Sequence, residues 1–203
     1  MNLRSSFSAI ILVGLLVVAG TGVSVFAEEN TEVQMWKDKC DKGEGFGCAY
    51  LGMKYEYGKG VKQDDFEAVK WYRSACEMGH ALGCGSLGVM YRYGKGVKQD
   101  DGEAVKWYRT ACEMGDARGC KDLGWAYQLG MGVTQDDGEA VKWFRTACEK
   151  ESASGCSSLA WMYEFGKGVR QSTEESLKYY GKGCELKSQQ GCENYARLKK
   201  GKR

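Results

Sequence analysis

The sequence predicts an all-α protein, a solenoid of helix-turn-helix units stacked in one dimension. The cysteines carry most of this reading. They fall into five pairs with one internal spacing, Cys40/Cys48, Cys76/Cys84, Cys112/Cys120, Cys148/Cys156 and Cys184/Cys192, and each pair begins 36 residues after the last. A strict period in this range, without insertion or deletion, is the mark of stacked supersecondary units. Composition agrees: proline is absent and glycine numbers 29, which suits many short helices joined by turns that need positive φ. At 203 residues and 43% hydrophobic the chain could form one ordinary domain, but the period argues for a stack.

In chain order, residues 1–27 read as an export signal. Arg4 supplies the positive start, Ala9 to Ala19 the apolar centre and Val25-Phe26-Ala27 a small-residue cleavage site. Gly20, Thr21, Gly22 and Ser24 interrupt the apolar run, so a cleaved signal is expected and no stable membrane anchor after it. Residues 28–43 resemble the second half of a unit and are expected to form an N-terminal capping helix. Four full units follow at 44–79, 80–115, 116–151 and 152–187, and residues 188–203 start a fifth and act as a C-terminal cap with a basic tail. End units of a solenoid must cover a face that no further neighbour buries.

Each unit reads as two helices. In the second, Cys84, Leu87, Gly88 and Tyr91 form one helical stripe over Ala81 to Tyr93, here called helix A. Gly94-Lys95-Gly96 ends it with the residue type that a left-handed C-terminus favours. Asp100 then stands three residues before Glu103, as do Asp64/Glu67, Asp136/Glu139 and Ser172/Glu175, a capping-box signature that opens helix B. Helix B spans Gly102 to Met114 and offers Ala104, Trp107, Tyr108 and Ala111 for packing. Gly52, Gly88, Gly124 and Ala160 are small enough to let the paired helices approach closely.

The pattern Leu87-Gly88-x-x-Tyr91-x-x-Gly94-x-Gly96-Val97, followed by Glu103-Ala104-x-x-Trp107-Tyr108-x-x-Ala111, resembles the Sel1-like repeat, a relative of the tetratricopeptide repeat. With a cysteine pair added to each unit, the chain is similar to the secreted Helicobacter cysteine-rich protein family. The resemblance covers residues 33 to 198 and implies a right-handed α-solenoid. It also implies export to a bacterial periplasm or the extracellular medium. Fold and function separate easily, so it says much less about activity.

Cys76 falls in the last turn of one helix B and Cys84 in the first turn of the next helix A, with Gly79 and Gly83 between them. Two side chains facing each other at the mouth of such a hairpin can meet the Cα separation of a disulfide, roughly 4.4 to 6.8 Å. Five local bridges are expected: Cys40 with Cys48, Cys76 with Cys84, Cys112 with Cys120, Cys148 with Cys156 and Cys184 with Cys192. Metal binding and redox chemistry compete with this reading. No C-x-x-C occurs and His80 is the only histidine, read as a solvated turn residue, so no metal and no cofactor are expected. The net charge of +2 gives no field for nucleic acid, and the tail Arg197, Lys199, Lys200, Lys202 and Arg203 reads as a solvated end.

The resembled family carries a β-lactamase or penicillin-binding label, which makes a β-lactam or peptidoglycan-like ligand the alternative reading. That chemistry needs S-x-x-K with S-D-N and K-T-G, and none of these strings occurs. No catalytic residues are therefore assigned. A binding face is suggested by divergence between units. At about 100° per residue, Cys48, Leu51, Gly52 and Tyr55 face the stack and recur, while a second arc of about 80° does not. Its Phe46, Ala49, Met53 and Glu56 become Leu82, Gly85, Val89 and Arg92, then Arg118, Lys121, Trp125 and Gln128, then Ser154, Ser157, Trp161 and Glu164. By the tetratricopeptide resemblance this arc lines a concave groove that holds a peptide or protein segment. The candidate contacts are Glu56, Val89, Arg92, Arg118, Lys121, Trp125, Gln128, Trp161 and Glu164. The four tryptophans Trp36, Trp71, Trp107 and Trp143 are assigned to packing.

Overall fold

A computed structural model describes the backbone over residues 23–201 and the side chains over residues 31–201. The export signal read at residues 1–27 lies outside the described side chains. Ten helices follow one another: α1 (Val23–Asp41), α2 (Gly45–Tyr57), α3 (Asp65–Glu77), α4 (Ala81–Tyr93), α5 (Asp101–Glu113), α6 (Ala117–Leu129), α7 (Asp137–Glu149), α8 (Ala153–Phe165), α9 (Thr173–Glu185) and α10 (Gln189–Gly201). The even-numbered helices are A helices and α3, α5, α7 and α9 are B helices. Each packs on its neighbours in sequence, and α2 with α4, α6 with α8 and α8 with α10 also touch. With α4 and α6 lining a shared recess, the A helices form one layer.

The turn chemistry explains where each helix stops. Gly94 closes α4 at φ 64°, in the left-handed region, with its N–H donating to the carbonyls of Met90 and Tyr91. Asp100 then caps α5 through its side chain, which accepts from the Glu103 N–H at 2.9 Å. The capping box is only half formed. The Asp100 N–H donates to the carbonyl of Tyr91 in α4, and the Glu103 carboxylate pairs with Lys106. The same exchange occurs at Asp64, Asp136 and Ser172, whose N–H groups donate to Tyr55, Tyr127 and Tyr163. A carbonyl in the last turn of helix A takes the place of the glutamate and ties the two helices of a unit together.

Close approach does the rest. A Cβ added at Gly52, Gly88 or Gly124 would lie 2.5, 2.7 or 2.6 Å from the ring of Tyr72, Tyr108 or Phe144 on the paired helix B, so in these three units glycine is what lets the ring approach the A helix this closely. Leu51, Leu87, Leu123 and Leu159 are fully buried, and Leu87, Leu123 and Leu159 share core clusters with Tyr72, Tyr108 and Phe144 respectively. Between units, Arg73 donates to the Tyr91 hydroxyl and stacks on Trp107, and Arg109 does the same with Tyr127 and Trp143. Arg145 continues the spine to Tyr163 and Tyr179. Trp36, Trp71, Trp107 and Trp143 all pack against the core clusters.

All five expected disulfides are present, each joining a B-position helix to the following A helix with Cα atoms 4.4 to 4.7 Å apart. No cysteine among the described residues is free. His80 differs from its expected setting: it is the half-buried N-terminal cap residue of α4, and its ring meets Phe46 edge-on at 5.7 Å. A clasp over so short a loop contributes about 2.5 kcal/mol through the unfolded chain. Replacing Cys112 and Cys120 together by alanine should therefore lower the unfolding free energy by about 2 to 3 kcal/mol, read from chemical denaturation, with helix content unchanged under native conditions.

Candidate functional site

The A helices α6, α8 and α10 come together around an open cavity of about 450 Å³. Lys121, Trp125 and Gln128 reach it from α6, Ser154, Ser157, Ser158 and Trp161 from α8, and Gln190 and Asn194 from α10, with Leu129 at its rim and Tyr180 of α9 in its wall. Its volume is that of a ligand pocket, and its lining joins aromatic surface to amides and hydroxyls. Trp125 is half-buried and meets Phe144 edge-on at 5.4 Å. Trp161 is 37% exposed and leans on Phe165 at 5.0 Å. Both rings are thus steadied by a neighbour while presenting surface to the same space.

The remaining candidates are dispersed along the stack. Val89 and Arg118 line a much smaller recess of about 70 Å³ between α4 and α6. Arg118 pairs with Asp116 at the start of its own helix, and Lys121 pairs with the adjacent Asp122 at 2.8 Å. Arg92 lies over the Tyr93 ring. Glu56 is buried, accepting from the Tyr72 hydroxyl at 2.7 Å with Lys95 3.6 Å away. Glu164 likewise accepts from Tyr180 at 3.0 Å and forms an ion pair with Arg197. These two carboxylates hold helix A to helix B.

Sequence reasoning omitted several lining residues from the candidates. Gln190 and Asn194 stand 36 residues after Ser154 and Ser158, so carrying the register into the C-terminal half-unit would have found them. Tyr180 belongs to the recurring helix B pattern, and nothing local marked it as wall. Among the described residues no group of three histidine, cysteine, aspartate or glutamate side chains converges to hold a metal ion.

The buried rings also have distinctive acid-base behaviour. Burial is the main cause that raises the Tyr72, Tyr108 and Tyr180 phenols above the ordinary tyrosine value, with the Glu56 and Glu164 carboxylates reinforcing it at Tyr72 and Tyr180. At Tyr108 the next contribution comes from Asp122.

Comparison with known proteins places this geometry. The Sel1 repeat pattern matches four consecutive stretches, residues 45–80, 81–116, 117–152 and 153–188. Among solved structures, the chain is similar to a protective antigen present in uropathogenic Escherichia coli strains, at 36% identity and a TM-score of 0.74 over 80% of this chain and 35% of that one. It is similar to a Sel1 repeat protein from Oxalobacter formigenes at 32% identity and a TM-score of 0.71, covering 76% and 62% of the two chains. Helicobacter pylori cysteine rich protein B is 32% identical with a TM-score of 0.55, covering 68% of this chain and 98% of that one. The chain thus spans less than two thirds of the first two relatives. No curated protein matches it.

The raised phenols fix a sign for alkaline stability. Their neutral form is favoured in the fold, so the contribution is fully present below the ordinary value of about 10 and is lost as pH rises beyond it, where the unfolded chain sheds protons that the fold retains. Absorbance at 295 nm should show Tyr72, Tyr108 and Tyr180 still protonated above the ordinary tyrosine value, with release only on unfolding.

Proposed function

The chain belongs to the Sel1 repeat family, and from that premise we propose that it is an exported, non-catalytic scaffold that grips a peptide or protein segment along its A-helix layer. The observation that carries this reading is the cavity where Trp125 and Trp161, one unit apart, share a space with amide and hydroxyl side chains. Rigid aromatic anchors beside adaptable polar groups form the composition of recognition surfaces. The divergent positions on otherwise uniform helices support it, since a residue that the stack does not need is free to serve a partner. The groove candidates Glu56, Val89, Arg92, Arg118, Lys121, Gln128 and Glu164 extend the same layer, with the buried carboxylates in supporting roles.

Export rests on two observations. Ten cysteines consumed in five disulfides fit an oxidising, extracytoplasmic compartment, where such bonds form and persist. The N-terminal stretch has the charge, apolar centre and small residues of a cleavable signal.

The test is retention of peptides from a protein digest on the immobilised, disulfide-intact chain, identified by mass spectrometry. The reading predicts a defined set of retained peptides that is lost when Trp125 and Trp161 are both changed to alanine, with the circular dichroism of the helices unchanged. Retention that survives the double substitution would assign binding to another surface.

A further inference from the structure

The 36-residue register puts one side chain of helix A and one ring of helix B at equivalent places in each full unit: Glu56 and Tyr72, Arg92 and Tyr108, Gln128 and Phe144, Glu164 and Tyr180. In two units the ring hydroxyl satisfies the polar partner: Tyr72 donates to Glu56 at 2.7 Å and Tyr180 donates to Glu164 at 3.0 Å. In the second unit the Arg92 guanidinium lies over the Tyr93 ring instead. The third unit breaks the rule. Phe144 has no hydroxyl, and Gln128 is left only 9% exposed with its Oε1 buried and unpartnered. This orphaned amide belongs to the wall of the cavity shared by Trp125 and Trp161.

A buried polar group without a partner is destabilising, and of the seven such side-chain atoms among the described residues only Gln128 Oε1 belongs to a residue that lines this cavity. We infer that Gln128 is a ligand-contacting residue, accepting a hydrogen bond from a backbone N–H of an uncharged peptide segment whose apolar side chain lies between Trp125 and Trp161. The inference rests on the groove reading above and names the chemistry that the groove selects. A carboxamide matches a peptide bond in both directions, its oxygen taking the N–H and its own N–H groups offered to a carbonyl. The terminal torsion of glutamine is soft, and a turn of the amide plane brings the oxygen to the cavity side. The bound segment is uncharged because the nearby charges are already spent: Lys121 is held by Asp122, and Glu164 by Arg197. An ion brought into this space would lose hydration without gaining a free counter-charge.

The substitution that tests this is Phe144→Tyr, which gives the third unit the hydroxyl that the others carry. The new hydroxyl occupies Gln128 as Tyr72 occupies Glu56. The variant should fold, melt at a higher temperature, and bind more weakly. The probe is a heptapeptide taken from a random phage-displayed library selected on the folded, disulfide-intact chain, with affinity measured by titration calorimetry. On the inference, Phe144→Tyr and Gln128→Leu each weaken the peptide about tenfold, the effect of one hydrogen bond. One backbone amide of the peptide, replaced by an ester that lacks the N–H, should cost about tenfold on the native chain and nothing on Gln128→Leu. A peptide that needs Trp125 and Trp161 but is indifferent to Phe144→Tyr, Gln128→Leu and every ester would overturn the role of Gln128 and leave the groove standing. Failure to select any peptide, or selection of peptides that ignore both tryptophans, would remove the groove reading itself.

Discussion

Helices of 13 residues, the length of every helix from α2 to α10, are marginal in water on their own, and a pair of them buries too little to stand alone. The structure depends on a covalent clasp where each B-position helix meets the next A helix and, in the first three units, on a ring pressed onto glycine within the unit. The disulfide fixes where a B-position helix hands over to the next A helix. The close contact of Tyr72 with Gly52, repeated as Tyr108 with Gly88 and Phe144 with Gly124, fixes how the two helices of a unit lie together. With both junctions set, each unit has one way to receive the next. Stability then accumulates by nearest-neighbour contact along the stack.

That division of labour explains why the A-helix layer can vary. The Arg–Tyr–Trp spine running through Arg73, Arg109 and Arg145 ties successive units through the B helices. The fold asks little of positions such as 118 and 161 in return, whereas Trp125 also packs on Phe144. Where a polar side chain is drawn against the helix B ring, the units solve its burial in turn with a carboxylate, a guanidinium or an amide. The amide is the one left without an answer inside the chain.

Much of this was legible from residues alone because the period forces it. A 36-residue interval between cysteine pairs determines hairpin closure before any energy is considered, and the Asp or Ser three residues before Glu locates every B helix. The reciprocal arm of the capping box was not legible, since the competing carbonyl of Tyr55, Tyr91, Tyr127 or Tyr163 belongs to another helix. At the candidate site, Trp125 and Trp161 of the divergent arc line one cavity together with Lys121 and Gln128 of the same arc. The burial of Glu56 and Gln128 was hidden, because angular position on one helix does not tell how far a neighbouring ring reaches over it. Gln190 and Asn194 escaped for a different reason: they lie in a half-unit read as a cap.

Everything rests on the cysteines being spent on neighbouring helices. Non-reducing peptide mapping by mass spectrometry addresses this directly. The account predicts five bridged species, each joining cysteines eight residues apart, with no alkylatable thiol. Bonds joining distant units, free sulfhydryls in the folded protein, or stoichiometric zinc released on denaturation would contradict it.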